Sequence, residues 1–369
     1  MAFLLLLCTA GGCSLQPGPI FDRQYPDLVW PPRPAESRIR YVGQISTADD
    51  LKAPPNVLEA MGALLAGKEK PARLYGPRSV IVTHAGRRVW VADPGGRRVH
   101  LLDLEERRHL EITRAGDAPL LTPVDLCTGP DDSIYVCDSE AVGIHRFSAV
   151  TGVFIGSMRL PEDVQRPVGL HYDVDQQELF VVDVAEHNIK VLAPDGRVLR
   201  IIGRRGERQG EFNFPCDIAG DGDTIWVVDA GNNRVQGLTR EGAPVQTIGS
   251  VGDSPGDLAL PKSIALDSEG HLYVVDARFE NVQIFDRSGR LLLFFGEEGA
   301  GPGEFWLPAG IFIEPGDRIW ICDSYNGRLQ VFEFVKGIHD QEAGPLDNDQ
   351  SPDTASPSST PGQPEEVTP

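Results

Sequence analysis

Six aspartates recur along this chain at nearly equal intervals, and each one ends a short apolar run that begins with an aromatic residue. Successive members are 45, 45, 46, 47 and 47 residues apart. They are Asp93, Asp138, Asp183, Asp229, Asp276 and Asp323. A ring of carboxylates could bind a cation, but an aspartate at a strand end also accepts hydrogen bonds from the backbone N–H groups of its own loop. Because every repeat carries the same residue, the pattern favours the structural role.

A second series, made of prolines that each open a short apolar run, keeps the same interval and reveals acids that differ between repeats. The prolines are Pro77, Pro123, Pro167, Pro215, Pro261 and Pro308. The residues two positions later are Ser79, Asp125, Gly169, Asp217, Ser263 and Gly310. With Arg78 and Lys262, the two acids Asp125 and Asp217 are candidates to bind a small ion or polar ligand. Ca²⁺ takes about six to eight oxygen ligands, so two carboxylates alone make a poor site, and a solvated lining without ligand is the alternative.

Histidine and cysteine offer little further chemistry. His171 follows Pro167 by four residues, where the other repeats carry apolar or small residues, and it is a further candidate metal ligand. A metal site needs several converging ligands, so a lone histidine is better explained as a hydrogen-bonded core residue. The cysteines of the repeats take positions that elsewhere carry small apolar residues, which predicts buried free thiols. They are Cys127, Cys137, Cys216 and Cys322.

The loops that follow the six aspartates differ from repeat to repeat, and some carry the residue types that dominate protein recognition. The candidates are Arg97, Arg98, His187, Arg278, Phe279, Tyr325 and Asn326, together with Trp306 from a segment between repeats. Exposed aromatic residues beside arginine are typical of binding hot spots. Ordinary packing between repeats is the alternative, and it is favoured for Trp306.

These positions require a repeated unit of four strands. In the fifth repeat, residues 263–266, 271–275, 282–286 and 290–295 are predicted strands joined by turns rich in Asp, Ser and Gly. Four short antiparallel strands in about 45 residues form one blade of a β-propeller. The sequence therefore predicts an all-β, six-bladed propeller over residues 77–335. In this meander the six aspartates and the Gly-rich connectors lie on one face, and Asp125 and Asp217 lie near the mouth of the central channel.

The repeat resembles a known family. The run from the proline through the Tyr-Val-Val-Asp segment to Asn-Arg-Val resembles the NHL repeat, and residues 229–235 (DAGNNRV) are the clearest copy. The connectors 203–215 (GRRGERQGEFNFP) and 296–308 (GEEGAGPGEFWLP) resemble the Gly-rich connector of that family. The resemblance implies the propeller fold, but the family includes binding domains, ubiquitin-ligase substrate readers and enzymes.

Residues 38–76 are predicted to hold a strand that closes the ring and a short helix. The sixth repeat lacks a fourth strand, and residues 38–43 (RIRYVG) resemble the end of one. Pairing of this segment with the sixth blade would remove an exposed sheet edge. Residues 55–67 place apolar side chains at helical intervals, which predicts an amphipathic helix packed on the propeller.

The two ends of the chain differ in composition from the repeats. Residues 1–13 contain a short apolar run followed by Ala10-Gly11-Gly12-Cys13, which resembles the lipobox of bacterial lipoproteins and makes Cys13 a lipidation site. An ordinary cleaved signal or a chance apolar segment is the alternative. Residues 14–37 are predicted to be a proline-rich tether, and residues 336–369 a disordered, acidic tail. The chain as a whole thus resembles bacterial NHL-repeat lipoproteins located outside the cytoplasm.

The charge balance limits the partners of this chain. Its 54 acidic and 34 basic residues give a formal net charge of −20, which opposes nucleic-acid binding. We therefore expect a non-enzymatic scaffold that binds a protein or other partner through the loop-rich face and contacts the membrane through a lipid anchor. No cofactor is predicted, and a Ca²⁺ ion in the channel is the one candidate.

The alternative is a metal-dependent lyase or lactonase-type enzyme with a site at the channel mouth. Peptide-amidating lyases that resemble NHL propellers use several histidines around a channel metal, whereas only His171 stands near that place here. Lactonase-type propellers use Glu, Asn and Asp, for which only Asp125 and Asp217 are candidates. The sequence therefore favours a binding protein over an enzyme.

Overall fold

Five four-stranded antiparallel sheets and one of five strands form the six blades of the protein, a computed structural model that describes residues 20–21, 28–52 and 71–335. Blade one consists of β3 (Ser79–Thr83), β4 (Arg88–Asp93), β5 (Arg98–Asp103) and β6 (Arg108–Ile112). Blade two consists of β9 (Pro123–Gly129), β10 (Ser133–Asp138), β11 (Gly143–Ser148) and β12 (Phe154–Met158). Blade three consists of β13 (Pro167–Asp173), β14 (Glu178–Asp183), β15 (Asn188–Leu192) and β16 (Val198–Ile202). Blade four consists of β17 (Pro215–Gly220), β18 (Thr224–Asp229), β19 (Arg234–Thr239) and β20 (Pro244–Ile248). Blade five consists of β21 (Pro261–Leu266), β22 (Leu272–Asp276), β23 (Asn281–Phe285) and β24 (Leu291–Phe295). The predicted six-bladed propeller is confirmed.

Blade six combines the two ends of the described chain. Its strands are β25 (Pro308–Ile313), β26 (Arg318–Asp323), β27 (Arg328–Phe334) and β2 (Ile39–Ile45), and the two-residue strand β1 (Val29–Trp30) adds a fifth. Strand β2 pairs antiparallel with β27, with Ile39 opposite Phe334 and Ile45 opposite Leu329. The predicted closing strand is thus confirmed, although β2 extends two residues beyond the predicted segment, and the fifth strand was not predicted.

The innermost strands of the six blades form a closed circle. Each of β3, β9, β13, β17, β21 and β25 contacts the innermost strands of both neighbouring blades, and β25 of blade six contacts β3 of blade one. Between blades one and two, the connector forms a hairpin of β7 (Arg114–Ala115) and β8 (Ala118–Pro119) that the repeat pattern did not predict. Short 3₁₀ turns lie at Ala48–Leu51, Pro94–Gly96 and Ala230–Asn232.

Aromatic side chains at one repeat position fill the spaces between the blades. They belong to the second strand of each blade and are buried in all six: Trp90, Tyr135, Phe180, Trp226, Tyr273 and Trp320. Each blade buries one face against the next, because a single sheet cannot bury both of its faces. Burial of large apolar surfaces of this kind supplies most of the stabilisation of the fold.

Two connectors insert a phenylalanine between blades, and this insertion requires glycine beside it. Phe212 and Phe305 belong to the Gly-Glu-Phe segments and are fully buried. Gly203 and Gly296 have φ values of 80° and 92°, and a Cβ atom on either would lie 2.3 Å from the neighbouring phenylalanine ring. Glycine tolerates this backbone conformation and leaves room for the ring.

Several sequence expectations lie outside the described residues. These are the signal and lipobox (1–13), half of the tether (14–19 and 22–27), the amphipathic helix (55–67) and the acidic tail (336–369). Where residues are described, none of the helices is long and apolar enough to cross a membrane.

Replacement of Tyr41 on the closing strand tests whether this strand holds the ring together. The Tyr41 side chain is buried and packs edge-on against Phe332 with ring centroids 5.3 Å apart. Tyr41→Ala leaves a cavity in the core and should lower the free energy of unfolding by about 3 kcal/mol or more, measured by urea denaturation. The matched control is Arg40→Ala, because Arg40 is exposed and its salt bridge to Glu333 should contribute about 1 kcal/mol or less. Equal effects of the two substitutions would contradict a closing role for β2.

Candidate functional site

The six repeat aspartates lie at the ends of the second strands, all on one face of the ring, which we call the connector face. All six are fully buried. Each accepts backbone N–H bonds from the connector that precedes its blade; for example, Asp138 accepts from Leu121 (2.7 Å) and Thr122 (2.8 Å). Most also accept from their own loop, as Asp276 does from Arg278 (2.9 Å). The carboxylates therefore hold connector and loop together and leave little capacity for a metal ion.

Buried side chains on the third strand complete the bonding of four of these aspartates. His100 Nε2 lies 3.1 Å from Asp93 Oδ2, and Lys190 Nζ lies 3.1 Å from Asp183 Oδ2. Gln236 and Gln330 take the same repeat position and donate to Asp229 (3.2 Å) and Asp323 (3.1 Å). Because a buried carboxylate is costly without partners, a donor at this position stabilises these four aspartates, whereas His145 and Gln283 bond other groups in blades two and five. Glutamine, lysine and histidine all serve.

Asp125 and Asp217 belong to a continuous structure that we call the inner ring, formed by the six residues two positions after the prolines. Asp125 Oδ2 accepts from Leu170 N in blade three (2.6 Å), and its carboxylate is also hydrogen-bonded to the Ser79 side chain in blade one. Asp217 Oδ2 accepts from Ser263 Oγ in blade five (2.6 Å). Both acids thus bond neighbouring blades, a structural role that neither the ligand site nor the solvated lining had anticipated.

Glycine occupies the two positions of the inner ring where neighbouring backbones approach most closely. A Cβ atom on Gly310 would lie 2.2 Å from the carbonyl oxygen of Arg78, and one on Gly169 would lie 3.2 Å from the Cα atom of Asp217. The six positions therefore differ in residue type for reasons of packing and hydrogen bonding, which accounts for the asymmetry that made them candidate ligands.

Burial raises the pKa of both inner-ring carboxyls. Burial, together with the nearby charge of Asp217, raises the pKa of Asp125 to about 7. Burial also raises the pKa of Asp217, and the positive charge of Arg78 opposes this shift in part. The two acids line a channel cavity of about 230 Å³. Arg78 and Lys262 are half-buried near its mouth, and among the described residues neither forms an ion pair.

His171 also lines the channel but is not brought to the two acids. Burial lowers its pKa to about 4, and the charges that act on it are those of Asp173, Arg240 and Asp221. Its ring packs against Gly220, where a Cβ atom would lie 2.3 Å from Nε2. Over the described residues, the group of metal-ligand atoms that approach within 4.8 Å of one another comprises His100, His109 and Glu111, so the candidate set of Asp125, Asp217 and His171 does not converge.

The four repeat cysteines are free thiols. Cys127, Cys137 and Cys322 are buried, whereas Cys216 is only partly buried and its Sγ donates to the carbonyl oxygen of Lys262 at 3.3 Å. The expectation of a buried apolar role therefore differs from the structure at Cys216, because this residue follows Pro215 at the channel mouth.

The candidate rim residues divide into exposed and buried members. Tyr325 and Arg278 are exposed, and Phe279 is half-buried. His187 is buried, contrary to its expected place on the rim, because its Nδ1 accepts from the backbone N–H of Phe214 (2.9 Å). Glu280 holds the backbone N–H of Leu307 in the same way (2.7 Å).

Arg97 and Arg98 show the same division. Arg97 is exposed, whereas Arg98 is half-buried and bonds Glu111 at 2.6 Å. Arg98 also lies over the ring of Tyr75, 5.5 Å from its centroid. Asn326 is half-buried and donates to the carbonyl oxygen of Gly299 (2.9 Å) and to Asp323 (2.9 Å), so it stabilises its loop.

An exposed apolar group lies on the connector face at blade six and the start of blade one. Trp306 and Tyr325 contact each other with ring centroids 4.4 Å apart. The start of blade one adjoins their loop, since Ser324 Oγ donates to the Pro77 carbonyl oxygen. We call this group the aromatic surface. Its members, with the exposed fraction of each side chain, are Tyr75 (50%), Trp306 (44%), Leu307 (42%) and Tyr325 (64%).

The sequence named Tyr325 as a candidate for this surface, but it favoured ordinary packing for Trp306, whose side chain is 44% exposed. Tyr75 and Leu307 were missed, although each stands directly before the Gly-Pro or Pro that opens a blade. The residue in front of the proline is exposed in blade four as well, where Phe214 is 52% exposed, so the connector position itself is the signal that could have found them.

Comparisons with known proteins agree with the fold. Residues 260–343, which hold blade five and most of blade six, match a family described as a 6-bladed beta-propeller, and no curated protein matches the chain in sequence. The structure is similar to virginiamycin B lyase from Staphylococcus aureus (17% identity, TM-score 0.52, over 71% of this chain and 96% of that one).

Two Bacteroides thetaiotaomicron structures are also similar. One is an auxiliary nutrient binding protein (12% identity, TM-score 0.56, over 71% of this chain and 70% of that one). The other is a protein of unknown function (15% identity, TM-score 0.59, over 81% and 76%). At these identities the similarity shows the propeller fold alone.

Asp125→Asn should reduce the dependence of stability on pH. Because the pKa of Asp125 is raised from 3.8 to about 7, the folded protein binds a proton that the unfolded chain releases, so this group stabilises the fold at acid pH. That contribution is lost as the pH rises from about 4 to 7. Asparagine stays neutral, so between about pH 5 and pH 8 the variant should lose at least about 1 kcal/mol less stability than the wild type.

The measurement is thermal or urea unfolding at both pH values. Asp163→Asn serves as the control, since Asp163 is exposed, and it should leave the pH dependence unchanged. An Asp125→Asn protein with the same pH dependence as the wild type would show that the Asp125 carboxyl titrates normally.

Proposed function

We propose that this protein is a non-enzymatic binding protein that holds a protein partner on the aromatic surface of its connector face. The observation that carries the proposal is the paired Trp306 and Tyr325, which expose large apolar area at the point where the ring closes. Exposed aromatic side chains that cluster in this way are enriched at the energetic centres of protein interfaces.

The backbone beneath this surface is fixed before any partner arrives. The backbone N–H of Trp306 donates to Asp323 (2.8 Å), and that of Tyr325 donates to the Trp306 carbonyl oxygen (3.1 Å). A surface whose backbone is already ordered loses less conformational entropy on binding. This rigidity is typical of a recognition surface rather than of a mobile apolar loop.

Positive charge borders the same surface on an otherwise acidic protein. Arg73 lies over the ring of Tyr75, 5.0 Å from its centroid, and Arg98 lies near the same ring. Arg278 is exposed on the neighbouring blade five. Aromatic residues with arginine at their border suit a partner that combines apolar and acidic groups.

Two features of relatives support a binding role. Structural neighbours from Bacteroides thetaiotaomicron and Bacteroides ovatus are auxiliary nutrient binding proteins. The repeat pattern of this chain resembles the NHL repeat, whose family includes binding domains. We extend to this chain a binding role and an NHL-type origin.

Two observations favour the enzyme alternative: the fold is similar to that of virginiamycin B lyase, and burial raises the pKa of the channel carboxyl Asp125. Perturbed pKa values cluster at active sites. Against it, Asp125 and Asp217 already accept hydrogen bonds from neighbouring blades. In a lyase or lactonase with a channel metal, the carboxylates of Asp125 and Asp217 would have to give up these hydrogen bonds in order to bind the ion. We therefore favour the binding protein.

A photocrosslinking experiment tests the binding proposal. The benzophenone amino acid p-benzoylphenylalanine replaces Tyr325 in one protein and Phe294 in the control, because Phe294 is also an exposed aromatic residue (50%) but lies on the outer strand β24. Irradiated cells that naturally make the protein should give a discrete protein adduct from position 325 alone.

Adding Trp306→Ala should then reduce the yield of that adduct at least about tenfold, because an aromatic hot spot contributes about 2 kcal/mol or more. Adducts of equal yield from positions 325 and 294, or an adduct that Trp306→Ala leaves unchanged, would argue against the aromatic surface as the binding site.

We also propose that the protein lies outside the cytoplasm, anchored through Cys13. The support is the lipobox-like segment in front of this cysteine. Labelled palmitate should be incorporated into the wild type and into Cys8→Ala but not into Cys13→Ala, as measured by gel fluorography. Labelling that survives in Cys13→Ala would rule out this anchor.

A further inference from the structure

Blade one carries a group of metal-ligand side chains that no other described blade repeats. His100 on β5 stands directly opposite Glu111 on β6, and His109 precedes Glu111 by two residues. Because side chains alternate between the faces of a strand, these three side chains share one face of the sheet. His100 is fully buried, His109 is partly buried, and the Glu111 side chain is 32% exposed.

The distances within this group are those of potential ligands to one ion. His100 Nδ1 and His109 Nε2 are 2.8 Å apart, and ligand atoms of all three residues lie within 4.8 Å of one another. Two nitrogen ligands of a tetrahedral Zn²⁺ lie about 3.3 Å apart. Opening the pair by about half an ångström would give them the spacing of zinc ligands, and a cavity of about 10 Å³ lies beside both rings.

The other nitrogen of His100 is already oriented by the fold. Its Nε2 lies 3.1 Å from the buried carboxylate of Asp93, which fixes the ring and directs Nδ1 toward His109. A carboxylate that accepts from the remote nitrogen of a ligand histidine is the usual outer support of zinc sites. The repeat aspartate, whose role elsewhere is structural, thus supplies this support without any additional residue.

An ion pair holds the carboxyl of this group in place. Arg98 bonds Oε1 of Glu111 at 2.6 Å, which holds the carboxyl beside the histidines.

We propose that His100, His109 and Glu111 bind a divalent transition-metal ion on blade one, with Zn²⁺ the best fit to two imidazole nitrogens and one carboxylate oxygen. The site is separate from the central channel and does not depend on the proposed binding function. Ca²⁺ and Mg²⁺ prefer sets of oxygen ligands and should bind weakly. A bound ion would link β5 to β6 next to the segment that joins the closing strand to blade one.

The test uses the untagged full-length chain after treatment with a chelator and dialysis. Zn²⁺ is titrated calorimetrically, and Co²⁺ is added separately to report tetrahedral coordination by visible absorption. The wild type should bind one Zn²⁺ per chain and give the Co²⁺ spectrum. His100→Gln, His109→Gln and Glu111→Gln should each weaken Zn²⁺ binding, the first two by at least about 100-fold.

His100→Gln separates loss of a ligand from loss of the fold. Gln236 and Gln330 occupy the same repeat position and still donate to their aspartates, so this variant should keep the melting temperature of the metal-free wild type. His145→Gln is the matched control, because His145 holds this position in blade two beside Ser157 rather than a second histidine, and it should bind Zn²⁺ like the wild type.

Three results would overturn the proposal. The first is a wild type that binds no stoichiometric Zn²⁺. The second is binding that survives in His100→Gln and His109→Gln but is lost in Asp217→Asn, which would place the metal in the channel. The third is equal loss of binding in His145→Gln and His100→Gln, which would indicate nonspecific histidine binding.

Discussion

A fully buried carboxylate at the end of each second strand fixes the connector that enters a blade to the loop within it. In blade six, Asp323 accepts from the backbone N–H of Trp306 at 2.8 Å and from the side chains of Arg328 (2.6 Å) and Asn326 (2.9 Å). A charge with no access to water is tolerated only with several hydrogen-bond partners. The connector face, and therefore any surface presented on it, depends on this satisfied charge in each of the six blades.

The channel end of the structure is held by a different set of bonds. The inner ring links blades one to three through Ser79, Asp125 and the Leu170 N–H, and blades four to six through Asp217, Ser263 and the Ile311 N–H. Between these two chains, Gly169 and Gly310 let neighbouring backbones approach closely. The ring is thus divided into two similar halves of three blades, although the period of the sequence shows only six similar units.

The fold could be predicted from the sequence because its determinants are local and repeated. The aromatic residue, the apolar pair and the aspartate recur in every blade. The closing strand was identified because residues 38–43 resemble the end of a fourth strand. The roles of Asp125, Asp217 and His187 could not be predicted, because their partners lie in a neighbouring blade or connector far along the chain. At Asp125, for example, the partner Leu170 is 45 residues away.

The candidate surfaces show the same limit. Tyr325 and Trp306 were recognisable by residue type, whereas Tyr75 joins them only because the ring closes beside Ser324. His100, His109 and Glu111 looked like dispersed residues, since their common face depends on the pairing of β5 with β6. Residue type predicted which side chains could do chemistry, and strand register determined which of them meet.

The repeat itself explains where chemistry can arise without loss of the fold. At the third-strand position, the aspartate needs only a donor, and glutamine, lysine and histidine each provide one in different blades. A position that accepts several residue types can carry histidine at little cost in stability, and the second ring nitrogen of that histidine is then available for other chemistry. Blade one carries histidine there, and its outer strand places His109 Nε2 2.8 Å from that second nitrogen. The inner-ring positions have no such freedom, because each residue there must either bond to the neighbouring blade or leave room for its backbone.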